Sequence, residues 1–230
     1  MLLLIAFTSL LTRQGPVSAL VLGAAALALL LVRGDLAEAV FWGLTVLLLA
    51  FAADGRLVVV LPALAVVCLL CFGAYRLFPL QDLYQENNLL EVMASAGAVG
   101  ADPLPDAFAA LDSDSLFLFL AGRYGLLFAG FTALLFIPLS LRGSSVATAA
   151  RTRFHAALAM GITLLLALRS LAALLSSFGF IPLSGLPLPF LTRSLPDLCA
   201  ELFLAGMLCG ISGRNDADLA EDAHLAMLAK

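Results

Sequence analysis

The stretch LFLFLAGRYGLLFAGFTALLFIPLSL, residues 116–141, decides the fold. It carries a single charged side chain, Arg123. A helix needs about 20 apolar residues to cross a bilayer, so this run is long enough to span one. Comparable runs lie on both sides, at residues 1–11, 16–32, 36–53, 57–78, 154–178 and 196–211. The first is short. It lacks the basic start and small-residue cleavage site of a signal peptide and reads as a short helix or the remnant of one.

Composition points the same way. Of 230 residues, 63% are hydrophobic and 12% charged. Soluble domains run nearer ~45–50% apolar and ~25% charged. That excess cannot be hidden in a soluble core, so the surface itself must be apolar. The expected fold is all-α: a polytopic integral membrane protein of about seven transmembrane helices, forming one domain over residues 1–230. Its setting is a bilayer, with membrane lipids as its immediate partners. Nucleic acid is excluded, because the net charge is −4, Lys230 is the only lysine and no basic cluster exists.

Arginine placement orients the spans. Residues 142–153 hold Arg142, Arg151 and Arg153 and no acid, and are expected inside. Residues 79–115 hold no Lys or Arg but carry Asp82, Glu86, Glu91, Asp102, Asp106, Asp112 and Asp114. They form the one large external loop, read first as a solvated acidic segment. Arg13 and Arg56 then fall inside, and Arg33 and Arg76 outside. The N-terminus is external. The tail, residues 214–230, is a short cytoplasmic helix with its acids first and Lys230 last, as the helix dipole favours.

Cys68, Cys71, Cys199 and Cys209 read as buried small apolar residues. The C-x-x-C at 68–71 lies in an unbroken apolar run, without the polar access or further ligands of a redox or zinc site. His155 and His224 build no metal constellation. No cofactor is indicated, and a divalent metal has no motif to support it.

The most specific feature is the string GFIPLSGLPLPF, residues 179–190. Three prolines and two glycines in twelve residues cannot continue a helix. Such a segment at the end of a span must bend, and its freed backbone groups need partners or water. The string resembles the G-L-L-P-V-T-G-I-P-L-P-F signature of the FtsW/RodA/SpoVE (SEDS) family. Two further strings agree. SDSLFLFLAGRYG, residues 113–125, resembles T-D-F-I-F-A-V-I-A-E-E-L-G with the same length from acid to glycine. Residues 161–171 resemble G-I-T-A-L-I-A-L-Q-A-L. The resemblance is good over residues 112–211. Family members have about ten spans, so the chain resembles a shortened member or the C-terminal part of one.

That resemblance implies a multi-pass protein of the bacterial cytoplasmic (inner) membrane that polymerises lipid II, an undecaprenyl-linked substrate, into peptidoglycan at the outer face. It implies a class B penicillin-binding protein as partner. Asp114 stands at the position of the family's catalytic carboxylate. Glycosyl transfer to a sugar hydroxyl needs a base to take the proton, and an aspartate at the membrane boundary meets both sugar and lipid. Asp114 also reads as a helix N-cap, and one residue can serve both purposes. Pro187 and Pro189 belong to the substrate-binding signature. The alternative function is a non-catalytic scaffold of a division or elongation complex. Three departures count against the enzyme, Gly122-Arg123 for Glu-Glu, Thr192–Asp197 for S-Y-G-G-S-S and Arg169 for a glutamine, and the first two favour the scaffold. A small transporter is weaker, since Glu38 is the only acid embedded in the first four spans.

Arg123, Arg169 and Glu201 remain to be placed. At 1.5 Å per residue each lies roughly 10–14 Å in from the outer end of its span or nearby. An arginine there costs roughly 2.5–3.5 kcal/mol on insertion scales and should face the bundle interior. Glu201 is expected to pair with Arg123 or Arg169. The functional alternative is that an arginine faces a groove and binds a lipid pyrophosphate, which suits guanidinium geometry.

Overall fold

In the computed structural model of the chain, residues 2–32, 36–54, 97–98, 100, 116–177, 187–192 and 194–228 are described. The expected span at 57–78, most of the loop at 79–115 (Asp114 included), Cys68, Cys71 and residues 179–186 lie outside the described residues. Among the described residues the regular structure is helical. The helices are α1 (Leu2–Arg13), α2 (Pro16–Val32), α3 (Leu36–Asp54), α4 (Leu116–Tyr124), α5 (Leu126–Leu134), α6 (Phe136–Ala149), α7 (Arg153–Ser177) and α8 (Leu195–Leu228).

Three helical stretches among them are long and apolar enough to cross a bilayer: Leu126–Ala149, Arg153–Leu175 and Leu195–Asn215. The apolar parts of α1, α2 and α3 are shorter. Large side chains such as Val21, Leu29, Leu127, Phe131 and Phe203 are exposed on these helices. In water such a surface would aggregate, and in a bilayer it is the expected outer face.

α7 is the central strut, packed against α1, α3, α6 and α8. Its Leu158, Ala159, Ile162 and Leu166 meet Leu4 and Phe7 of α1, Leu49 of α3 and Leu204 and Leu208 of α8 in the main core. A second cluster joins Phe117 and Ala121 of α4, Ala129 of α5, Ala173 of α7 and Leu188. Buried hydroxyls are satisfied along their own helices. Thr8, Thr45, Thr163 and Ser170 each donate to the carbonyl four residues back, at 3.0, 2.7, 2.7 and 2.6 Å, so they cost little in an apolar interior. The Trp42 indole N–H reaches the Gly23 carbonyl at 3.4 Å and ties α3 to α2.

The span expected over 116–141 is not one helix. It breaks at Gly125, which has φ 89°, a conformation that glycine adopts without steric cost. The exposed start of α5 is satisfied from outside: the amides of Leu126 and Leu127 donate to the carbonyls of Gly97 and Ala98 at 3.2 and 3.3 Å. A second interruption falls at Leu135. Pro138, in the first turn of α6, has no amide to bond back across it. The helix then runs to Ala149, so most of the expected loop at 142–153 is helical and the turn is confined to Ala150–Thr152.

Two other expectations change. The tail is not a separate helix, because α8 continues unbroken from Leu195 to Leu228. Cys199 and Cys209 are exposed rather than buried. They lie on an α8 surface shared with exposed Leu202 and Phe203, where a small apolar thiol needs no protein cover if lipid surrounds it.

The ends of several helices gather. Thr12 of α1, Ala52 of α3, Thr148 of α6 and Arg153 of α7 line one cavity. Asn215 of α8 donates to the Val146 carbonyl of α6 at 3.3 Å. Arg13, the 150–152 turn and the far part of α8 therefore share one end of the bundle.

The α6–α7 crossing depends on a residue without a side chain. A Cβ on Gly143 would run into the hydroxyl of buried Thr163, whereas one on Gly130 of α5 would meet open space. Gly143→Ala is expected to lower stability by about 1–3 kcal/mol through overpacking, while Gly130→Ala changes it little. Unfolding midpoints in mixed micelles separate the two; equal midpoints would show that the crossing is loose.

Candidate functional site

Residues 187–192 form a tight turn between α7 and α8. The Leu191 amide donates to the Leu188 carbonyl at 2.9 Å. Pro189 and Phe190 are the central residues, and Phe190 has φ 66°. Proline first and a positive φ second is the signature of a type II turn, where glycine is usual at the second place. A bulky L-residue there is strained by roughly 1–2 kcal/mol. Among the described residues Phe190 is the only non-glycine with positive φ.

What holds Phe190 in place is a carboxylate. Its amide donates to Glu201 Oε2 at 2.6 Å. The other carboxylate oxygen, Oε1, lies 3.6 Å from Arg169 Nη1. Glu201 is 2% exposed and the Arg169 side chain 16%. A buried carboxylate is strongly disfavoured unless paired and hydrogen-bonded, and here both conditions are met. The expected partner choice resolves in favour of Arg169. The pair joins α7 to α8, and the amide bond adds the turn. Arg123 stands exposed in the last turn of α4, just before the Gly125 break.

The turn also bridges the two cores. Leu188 belongs to the α4–α5–α7 cluster, and Phe190 packs on the main core. Beyond it lies an open cavity of about 420 Å³ lined by Leu120, Phe128, Thr132, Leu135, Phe136, Leu139, Pro189, Phe190 and Leu191. Its wall is apolar except for Thr132, whose hydroxyl already donates to the Phe128 carbonyl at 2.9 Å. Such a surface suits a hydrocarbon chain and offers no acid, base or metal ligand. Asp114 precedes α4 by two positions in sequence and lies outside the described residues. Pro187 and Pro189 are part of the turn, and Pro189 is buried.

Sequence reasoning missed the clamp on the Phe190 amide. The signal available was the L-P-F order, a proline followed by a residue with no glycine substitute, eleven positions before a lone acid in an apolar run. Thr192 closes the segment by accepting from the Ser194 amide at 3.1 Å, and the Ser194 carbonyl opens α8 by accepting from Leu198 at 3.0 Å.

Removing the carboxylate should release all three elements. Glu201→Ala is expected to destabilise the protein by about 3–5 kcal/mol, the usual result of leaving one partner of a buried pair alone. Glu201→Gln keeps an acceptor for the Phe190 amide and should cost less. Detergent unfolding curves for the two variants test this; an unchanged Glu201→Ala midpoint would remove the clamp from the account.

Comparison with known proteins places these residues in context. Residues 102–216 match the FtsW/RodA/SpoVE family, described as cell cycle proteins. A protein of Geobacter sulfurreducens named as a probable peptidoglycan glycosyltransferase FtsW is 38% identical over 90 residues, 39% of this chain and 24% of that protein. One of the same name from Geobacter metallireducens is 32% identical over 111 residues, covering 48% of this chain and 28% of its own length. The matched stretches thus span about a quarter of these curated relatives.

Proposed function

The chain belongs to the FtsW/RodA/SpoVE family, and from that premise we infer that it takes part in peptidoglycan synthesis, polymerising lipid II at the outer face of the bacterial cytoplasmic membrane. The observation that carries this reading is the turn at 187–192. The part of the chain that matches the family contains a strained turn, fixed by Glu201 and Arg169 and set against an apolar cavity. Such strain persists only where the surroundings over-determine it, and it concentrates at functional sites.

In this reading the cavity takes part of the undecaprenyl chain, and Pro187 and Pro189 shape its edge. Asp114 supplies the carboxylate. It takes the proton of the acceptor sugar hydroxyl as the new glycosidic bond forms and the lipid pyrophosphate leaves. Arg123 stands beside the departing pyrophosphate, for which a planar guanidinium is well shaped. Arg169 and Glu201 act at one remove, by positioning the turn. A class B penicillin-binding protein is the partner.

A non-catalytic scaffold is the second reading. It is favoured by Gly122-Arg123, which replaces an acidic pair, and by Thr192–Asp197, which replaces S-Y-G-G-S-S. The two readings part on one assay. Polymerisation of labelled lipid II by the purified chain, with and without a penicillin-binding partner, is expected to yield glycan that Asp114→Ala abolishes, with a rate loss of at least 100-fold, the lower bound for removing a general base. Folded wild type that makes no glycan under either condition would establish the scaffold.

A further inference from the structure

At the end of the bundle where α1, α3 and α6 stop and α7 starts lies a second cavity, of about 500 Å³. Its floor is apolar, with Leu11, Leu49, Ala157 and Met160. Its rim carries Thr12, Thr148 and Arg153. From Arg153 to Met160 is seven residues, roughly 10 Å along α7. The cavity therefore runs inward from the helix ends and changes from polar to apolar on the way. Its volume lies within the range of about 300–1,000 Å³ usual for ligand sites.

The rim's hydrogen-bonding capacity is specific. The Thr12 hydroxyl already donates to the carbonyls of Thr8 and Ser9 at 2.9 and 3.2 Å. The Thr148 hydroxyl donates to the Ser145 carbonyl at 2.9 Å. Arg153 is then the rim's donor of side-chain hydrogen bonds. It is exposed, and among the described residues no carboxylate pairs with it. Arg13, next to Thr12, and Arg151 add positive charge at the same end. Water is a poor occupant of the floor, which offers it no polar partners.

We propose that this cavity binds one anionic phospholipid, with its phosphodiester on Arg153 and the upper part of an acyl chain on the Leu11–Leu49–Met160 floor. Charge complementarity selects the occupant. The end of the bundle with these arginines is the end expected to face the cytoplasm, and basic pockets between helices on that side suit anionic head groups. The site is separate from the turn at 187–192 and does not depend on the polymerase reading.

The test uses the full chain purified in a neutral detergent and offered equal amounts of phosphatidylglycerol and phosphatidylcholine, with retained lipids counted by native mass spectrometry. Wild type is expected to keep one phosphatidylglycerol in preference to phosphatidylcholine. Arg153→Gln should weaken that retention about five-fold, the effect of one basic side chain near an anionic surface, and erase the head-group preference. Arg153→Lys should keep most of it. Ala157→Phe, which fills the floor, should reduce retention of both lipids. Circular dichroism reports whether each variant is folded; if Arg153→Gln is not, Arg153→Lys and Ala157→Phe decide. Equal retention of the two lipids by wild type would overturn the proposal. So would wild-type levels of phosphatidylglycerol in the folded Gln or Phe variants, or a dimer that carries no lipid.

Discussion

A carboxylate inside an apolar bundle has few permitted arrangements, and the part of the chain around α7 and α8 is organised by one of them. Glu201 has to be neutralised and hydrogen-bonded, because an isolated carboxylate in low dielectric is far too costly to keep. Arg169 provides the charge and the Phe190 amide provides the bond. Those two partners come from different elements, so meeting one side chain's needs fixes a helix pair and a loop together. A hydrophobic pair at 169 and 201 would pack the helices as well, or better. It would not hold the Phe190 amide, and the turn would lose the contact that offsets its positive φ.

Backbone satisfaction is the second organising constraint. In a bilayer each freed amide or carbonyl must find a partner. The break at Gly125 is tolerable because residues 97 and 98 meet the exposed start of α5. The close approach of that segment explains a further glycine: a Cβ on Gly100 would strike the Arg123 carbonyl. At Leu135 the same need is met locally, its amide being shared between the carbonyls of Phe131 and Thr132, both at 3.2 Å. The α4–α6 segment thereby bends without losing its apolar exterior, and one wall of the cavity beside the turn comes from these bent helices.

The sequence made α2, α3 and α7 legible nearly to the residue, because unbroken apolar runs bounded by charges or turn residues leave little choice. It also narrowed the partner of Glu201 to Arg123 or Arg169, since a rare acid and a rare base at equal depth have few other ways to be accommodated, but the choice of Arg169 came from the fold. The breaks at 125 and 135 were not read. A hydropathy run passes over Gly125 and Pro138, and neither residue alone says whether the helix bends or merely tolerates it. The exposed cysteines were misjudged for a related reason: small apolar residues signal burial in water, but in lipid they fit the outside as well. The bond from Phe190 to Glu201 was hidden because backbone donors leave no trace in residue identity. The roles proposed for Asp114 and the prolines rest on likeness to the family, which residue chemistry alone does not single out, whereas the one proposed for Arg123, where the family has an acid, rests on guanidinium geometry alone.

The departures from the family's pattern acquire different weights once the pair is seen. An arginine at 169 in place of glutamine looked like a lost function when read alone. In the fold it is half of a buried pair, and its charge is committed to Glu201, which in turn fixes the turn. The change is therefore compatible with a preserved site, because the turn it supports lies within the part of the chain that matches the family. Gly122-Arg123 is different. Gly122 is buried and Arg123 is exposed at the end of α4, so this pair replaces two acids at the rim of the bundle rather than in its interior. The weight of the question of activity therefore shifts away from the penultimate helix and onto the start of α4, where Asp114 and Arg123 stand nine residues apart in sequence. A polymerase needs that region to act on charge outside the bundle; a scaffold needs only the clamp.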